Sequence, residues 1–199
     1  MLLALVVSCN TEPKTAVQKK VDSYALVKIE SPDLSGITDN GKEVLNLYKF
    51  AAEQADSIYW KQCFGDKMLV ENLKDADLKE YAKINYGPWD RLDGKAFIDG
   101  FGAESPLGAN FYPKDMTTAE FESMDDPVKT SPYSLIRRGA DGRLTSVWYH
   151  DAFEYNIDKI CNYLKAAADI TIKPSVRNYL LKKIDALKRH KQGLMQQLF

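Results

Sequence analysis

The sequence is poor in residues that hold metal ions or act as nucleophiles, with only two histidines and three cysteines among its 199 residues. His150 and His190 lie far apart, and no His-Glu-x-x-His pattern occurs. His150 and Glu154 are spaced as one helical turn, but a histidine at a helix start beside an exposed glutamate is the simpler interpretation. No Gly-x-Ser-x-Gly pattern is present, and neither Cys63 nor Cys161 has a histidine near it in sequence. We therefore assign no catalytic residue, no metal ligand and no cofactor from the chemistry of the chain.

Charge of one sign is also lacking, because 27 lysines and arginines accompany 28 aspartates and glutamates. A formal net charge of −1 produces no overall field that would attract nucleic acid or an acidic partner. Basic residues do not form long runs either. The composition therefore predicts a protein that does not bind nucleic acid.

Long hydrophobic runs are absent, and the amino-terminal run Leu2–Val7 is much too short to span a bilayer. The order of this run, small Ser8 and then Cys9 resembles the signal peptide and lipobox of a bacterial lipoprotein, in which the cysteine becomes lipidated. A buried amino-terminal strand is the alternative. We favour the lipobox because a polar tether, residues 10–23, follows at once, and residues 10–20 are predicted to be disordered. The prediction is an exported protein, periplasmic or at the cell surface, anchored to a membrane through a lipid on Cys9.

Hydrophobic residues recur at helical spacing on both sides of an irregular middle region. The predicted helices cover about residues 40–62, 67–83, 118–124, 153–168 and 174–187. Asn40 and Glu43 form a candidate capping box for the first of them, and Thr117 with Glu120 for the short one. The sequence Asp-Ala-Asp at 75–77 is a candidate interruption of the second helix. Together with the signal peptide over residues 1–9, this organisation leaves one folded region over residues 24–199.

The middle region, residues 84–113, has no apolar period and is punctuated by glycine and proline. Short strands are predicted over residues 83–86, 96–98, 133–137 and 144–149. The last two would form a hairpin around Asp141-Gly142, a common turn dipeptide. The fold class is therefore α+β, with helices that flank a small strand-and-loop middle.

Cys63 and Cys161 remain as a candidate pair, which sequence alone does not decide. Cys161 lies on the apolar face of a predicted helix, and this position favours a buried free thiol.

The irregular middle also carries a resemblance to a known family. The segments INYGPWDRLDG, PLGANFYPKDMTTAEFE and SLIRRGADGRLTSVWYHDAF, with ADSIYWKQCFGDK in the preceding helix, resemble the amino-terminal part of bacterial dipeptidyl-peptidase III, a family of zinc metallopeptidases. The Bacteroidetes branch, whose members are often lipoproteins, is the most similar. The resemblance spans about Tyr24 to Leu187.

This resemblance implies that the chain is one part of a larger two-lobed fold, in which one lobe contains a strand-rich barrel. Family members remove dipeptides from peptide amino termini, and they use a zinc ion held by a His-Glu-x-x-His or His-Glu-x-x-x-His helix and a following glutamate. In the family these residues lie downstream of the matched region, and this chain has no such motif. We therefore expect a catalytically incomplete fragment that ends before the zinc-binding lobe, with zinc present only in the full-length family.

The alternative is a non-enzymatic, lipid-anchored module that binds peptides. In either case Tyr86, Trp89, Asn110 and Tyr112 are predicted to edge a peptide cleft. Aromatic rings provide apolar walls for peptide side chains, and glycine-rich loops expose backbone that can pair with an extended peptide. Loops that only connect strands are the structural alternative.

Overall fold

The computed structural model describes residues 13–25, Val27 and residues 32–188. Cys9 and the predicted signal peptide lie outside these residues, so lipidation stays a prediction. No helix in the described ranges combines the length and apolar character that crossing a membrane requires.

The described residues form helices around one β-hairpin, which confirms the α+β class. In chain order the elements are α1 (Ala16–Ser23), α2 (Asp39–Cys63), α3 (Lys67–Glu71), α4 (Ala76–Asn85), α5 (Thr118–Ser123), β1 (Ser134–Arg138), β2 (Leu144–Trp148), α6 (Tyr149–Ala152), α7 (Glu154–Ile170) and α8 (Pro174–Lys188). The hairpin is antiparallel, with Arg138 opposite Leu144 at its turn. Helices therefore make up most of the described structure, and its sheet has only two strands.

The main core lies where α2 packs against α7 and α7 packs against α8. Ala167 and Ala168 are completely buried, and such small residues let helix backbones approach closely. Leu180 of α8 packs beside them, and Leu135 of β1 packs with Ile160 in the neighbouring part of the core. The apolar stripes that predicted these helices are the surfaces that meet here.

The start of α2 differs from the prediction, because Thr38 and not Asn40 is the N-cap residue. The Thr38 side chain accepts a hydrogen bond from the Gly41 amide at 3.2 Å. Asn40 instead donates to the Ile170 carbonyl at 2.6 Å and accepts from the Ile172 amide. Both residue types cap helices well, so the long-range contact with the end of α7 decides which one does.

The predicted helix over residues 67–83 is interrupted, but the break covers residues 72–75 and so meets the expected position, 75–77, only at Asp75. The Asp75 carboxylate caps α4 by accepting hydrogen bonds from the amides of Asp77 and Leu78. The strand predicted over residues 83–86 is wrong, because α4 continues to Asn85 and ends at Tyr86 in the left-handed conformation, with φ 54°. Residues 96–98 form no regular strand and contribute only an isolated bridge from Ala96 to Trp89.

The disorder predicted for residues 10–20 is wrong for Ala16 onward, which form α1. Thr15 caps this helix by accepting a hydrogen bond from the Gln18 amide at 3.0 Å. Lys20 then binds the carboxylate of Asp90, and the ring of Tyr24 packs edge-on against Tyr81. The segment is too polar to fold alone, and its contacts with residues far along the chain hold it in place.

Other local predictions agree with the structure. Thr117 and Glu120 form the predicted capping box of α5. Cys63 and Cys161 are free thiols, and Cys161 is buried in the core. His150 and Glu154 lie on two successive helices, α6 and α7, which are separated at Phe153.

Candidate functional site

A pocket of about 270 Å³ opens where the end of α2 meets the loops that follow α4. Three half-buried aromatic residues, Phe64, Trp89 and Phe101, contribute to its lining. Asp66, Asn110 and Lys114 add polar atoms. We call this site the aromatic pocket.

The three rings of the aromatic pocket are mutually close to perpendicular. The centroid distances are 5.8 Å for Phe64–Trp89, 5.4 Å for Phe64–Phe101 and 6.1 Å for Trp89–Phe101, and the planes meet at 76° to 81°. Edge-to-face pairs of this kind stabilise each other by about 0.5–1.5 kcal/mol beyond the area they bury. The walls are therefore a preformed cluster of rings.

The position of Phe64 follows from the way α2 ends. The amides of Phe64 and Gly65 both bind the Trp60 carbonyl, at 3.0 and 2.9 Å, and the chain then turns away from the helix axis. Gly87 leaves room for the ring, because a Cβ atom there would lie 3.1 Å from the Cβ of Phe64. A side chain at position 87 would therefore crowd Phe64.

Asn110 attaches the second loop to the same helix end. Its backbone amide binds the Gln62 carbonyl at 3.0 Å, and its side-chain amide binds the Lys61 carbonyl at 2.9 Å. These carbonyls belong to the last turn of α2, which has no partners for them within the helix. Asn110 therefore closes the helix end and fixes one side of the pocket.

Charged groups of both signs stand at the edge of the aromatic pocket. Asp66 is exposed, and its Oδ1 caps α3 by accepting a hydrogen bond from the Leu69 amide at 2.9 Å. Lys114 is also exposed. Neither residue forms an ion pair within the described part of the chain. Both charges are therefore free to meet a ligand.

Trp89 is held by packing. Its Nε1 is buried and has no hydrogen-bond partner among the described residues, although its backbone forms the bridge to Ala96. An unpaired buried donor costs about 1–3 kcal/mol. The ring contacts with Phe64 and Phe101 offset this cost and keep the indole in the pocket wall.

The predicted cleft residues divide into two groups. Trp89 and Asn110 line the aromatic pocket. Tyr86 lies beside it, where its hydroxyl donates to Asp56 at 2.8 Å and its ring packs on Trp60. The ring of Tyr112 covers Gly108, since a Cβ atom there would lie 1.9 Å from that ring. The structure places these two tyrosines in contacts that hold the loops.

Sequence reasoning missed Phe64, Asp66, Phe101 and Lys114. The signal for the two rings was an aromatic residue next to glycine, in Cys-Phe-Gly-Asp at the predicted helix end and in Gly-Phe-Gly at 100–102. A ring in such a segment is poorly placed for a helical or strand core and is available to a loop pocket. No comparable signal marked Asp66 or Lys114.

Asp90 anchors the loop next to Trp89. It is buried, and its carboxylate accepts hydrogen bonds from Lys20, from the Tyr81 hydroxyl at 2.6 Å and from the Leu92 amide at 2.9 Å. Burial alone would raise the pKa of this carboxyl, but these hydrogen bonds outweigh it and lower the pKa to about 2. Burial, together with the hydrogen bond to Asp90, raises the pKa of Tyr81. The loop is thus tied to both α1 and α4 at neutral pH.

Within the described residues, no group of three or more histidine, cysteine, aspartate or glutamate side chains is placed to hold a metal ion.

Comparison with solved structures finds two bacterial proteins with a similar fold. The chain is similar to dipeptidyl-peptidase III from Caldithrix abyssi, with 34% identity and a TM-score of 0.70, over 78% of this chain and 32% of that one. It is also similar to dipeptidyl-peptidase III from Corallococcus sp. strain EGB, with 25% identity and a TM-score of 0.74, over 86% of this chain and 34% of that one. The resemblance inferred from the sequence motifs is confirmed at the level of the fold.

Comparison with curated sequences adds one relative with a different name. Nudix hydrolase 3 of Arabidopsis thaliana is 24% identical over 241 aligned positions, which cover 89% of this chain and 31% of that protein. No protein-family model matches the chain. The chain therefore spans about a third of the length of each protein that it matches.

Proposed function

We propose that this chain is the amino-terminal portion of a dipeptidyl-peptidase III-like zinc peptidase of the Bacteroidetes lipoprotein type. In this proposal it binds peptides at the aromatic pocket and lacks the hydrolytic centre. Two dipeptidyl-peptidase III structures share its fold, and three of the four segments that carry the sequence resemblance contribute residues to the pocket. The Arabidopsis name describes a whole protein of which this chain matches less than a third, so it does not indicate which activity belongs to the matched part.

The observation that carries the peptide-binding proposal is the combination of ring walls with unpaired charges. Ligand sites are mostly apolar and carry a few polar groups that fix orientation. A pocket of about 270 Å³ is smaller than the roughly 300–1,000 Å³ typical of small-molecule sites. It suits a single peptide side chain, while Asp66 and Lys114 would meet polar groups of the flanking main chain.

The proposal of an incomplete hydrolytic centre is supported by the sequence. Hydrolysis by the resembled family needs a zinc ion on a His-Glu motif, and the two histidines of this chain stand in no such motif. The residues that bind zinc would then lie outside these 199 residues.

Calorimetric titration with the blocked tripeptide Ac-Ala-Phe-Ala-NH₂, which carries no charge, tests the binding part. We expect saturable heat, and at least tenfold weaker binding for Phe101→Ala, because a pocket wall is removed. Phe121→Ala is the matched control, since this half-buried ring lies on α5 and does not line the pocket. Absence of heat at millimolar peptide, or equal loss in both variants, would refute the proposal.

A hydrolysis assay tests the second part separately. The chain is mixed with equimolar zinc and a chromogenic dipeptidyl amide, and we expect no release of dipeptide. Turnover at that metal ratio would show that the hydrolytic centre is present after all.

A further inference from the structure

Aromatic rings around the aromatic pocket already hold cations of the chain itself. Lys20 lies 5.8 Å from the ring centre of Tyr81, Lys67 lies 5.5 Å from that of Trp60, and Arg91 lies 5.5 Å from Tyr59 and 5.9 Å from Tyr86. No cation of the described residues lies over Phe64, Trp89 or Phe101. The chain therefore packs these three rings against one another and places none of the cations of its described residues over them.

The arrangement of these rings suits a cation from outside. Because the three planes are close to perpendicular to one another, a ligand that enters from any direction cannot meet all three rings edge-on. The face of an aromatic ring carries the negative part of its quadrupole and attracts ammonium groups. Rings stacked in parallel could all present their edges to an entering ligand.

The nearby charges also favour a cation on balance. Asp66 uses Oδ1 to cap α3, so its other carboxylate oxygen is available to an ammonium group. The carboxyl end of the 25-residue helix α2 lies at the pocket and carries the negative pole of the helix dipole. Lys114 opposes both, but its side chain is exposed and can turn toward solvent.

We propose that the aromatic pocket binds an alkylammonium cation, carried by a lysine side chain of a peptide or by a small free amine. The proposal rests on the proposed function in one respect, namely that the same pocket takes a ligand. It adds that the ligand group in the pocket carries a positive charge.

Two pairs of probes separate charge from shape. Ac-Ala-Lys-Ala-NH₂ is compared with the same peptide containing norleucine, and choline is compared with 3,3-dimethylbutan-1-ol, which has the same shape without the charge. Binding is followed by calorimetry. We expect each cation to bind about fivefold or more tightly than its neutral partner, in line with a partly desolvated cation–π contact.

Two substitutions locate the selectivity. Asp66→Asn keeps a side chain that caps helices well and removes only the charge, so we expect the preference for both cations to fall to the part that the rings supply. Lys114→Gln should instead strengthen binding of both cations. Asp125→Asn is the matched control, because Asp125 is exposed and lies outside the pocket.

The outcomes separate the two proposals. Equal binding of lysine and norleucine peptides would overturn the charge preference and leave peptide binding intact. Binding of choline without either peptide would support the cation site and argue against peptide binding. Absence of binding by all four probes would overturn this inference, while the Ac-Ala-Phe-Ala-NH₂ titration would still decide peptide binding. An unchanged preference in Asp66→Asn would show that the carboxylate plays no part.

Discussion

At the scale of single residues, Ala109 is held in a conformation that alanine disfavours. Its φ is +45°, and it follows Gly108, whose φ is +72°. The left-handed region brings the Cβ atom close to the following carbonyl oxygen and costs about 1–2 kcal/mol for a residue with a side chain. The local backbone is strained here because Asn110, the next residue, must reach the end of α2.

Ala109→Gly should therefore stabilise the protein by about 0.5–1 kcal/mol, since glycine adopts positive φ without this clash. The free energy of unfolding, measured by urea titration, checks the expectation. The control is Ala119→Gly in α5, where helical geometry makes glycine worse than alanine by about the same amount. If both variants shifted the free energy of unfolding in the same direction, the proposed strain at Ala109 would be contradicted.

At the scale of elements, α1 shows how a short helix can depend on distant residues. None of its residues is buried, and its described contacts run mainly to α4 and the following loop. Isolated helices of this length are unstable in water. Its stability therefore depends largely on Lys20, which binds buried Asp90, and on Tyr24, which packs on Tyr81.

Lys20→Met removes the ion pair while it keeps a long side chain. We expect amide hydrogen exchange in residues 16–23 to become at least tenfold faster, with little change in α7. Lys19→Met is the control, because Lys19 is exposed and its side chain forms no hydrogen bond or ion pair with the described residues. Equal acceleration in both variants would mean that charge alone, and not the contact with Asp90, orders α1.

At the scale of the whole molecule, Asp90 links stability to pH. Its pKa is lowered to about 2 in the folded protein, against about 3.9 for an unfolded aspartate. The unfolded chain therefore binds the proton first as pH falls. The stabilisation is complete above about pH 4 and is lost as pH falls through the folded pKa near 2.

Wild type should thus lose roughly 2 kcal/mol of unfolding free energy between pH 4 and pH 2 through this residue. Asp90→Asn should lack that part of the loss, while Asp125→Asn should behave as wild type. Urea titrations at several pH values measure the difference. A wild-type pH dependence retained in full by Asp90→Asn would contradict the assignment.

The sequence alone determined the features that depend on neighbours along the chain. The apolar spacing of α2, α7 and α8, the Thr117–Glu120 capping box, the interruption at Asp75 and the hairpin around Asp141-Gly142 all match the structure. In each case the physical cause is local: one face of a helix, one cap or one turn. Trp89 and Asn110 were predicted to edge a cleft because they lie in an irregular segment rich in aromatics, and both line the aromatic pocket.

Only the tertiary structure decided between alternative local structures, and only it decided which loops contact one another. Thr38 and Asn40 could each cap α2, and the contact of Asn40 with Ile170 chose between them. Polar residues 16–23 became a helix because Asp90 lies far along the chain and close in space. The aromatic pocket brings Phe64, Trp89 and Phe101 together from three segments. Sequence periodicity does not predict such long-range contacts, because the free energy that favours them comes from packing between residues remote in sequence.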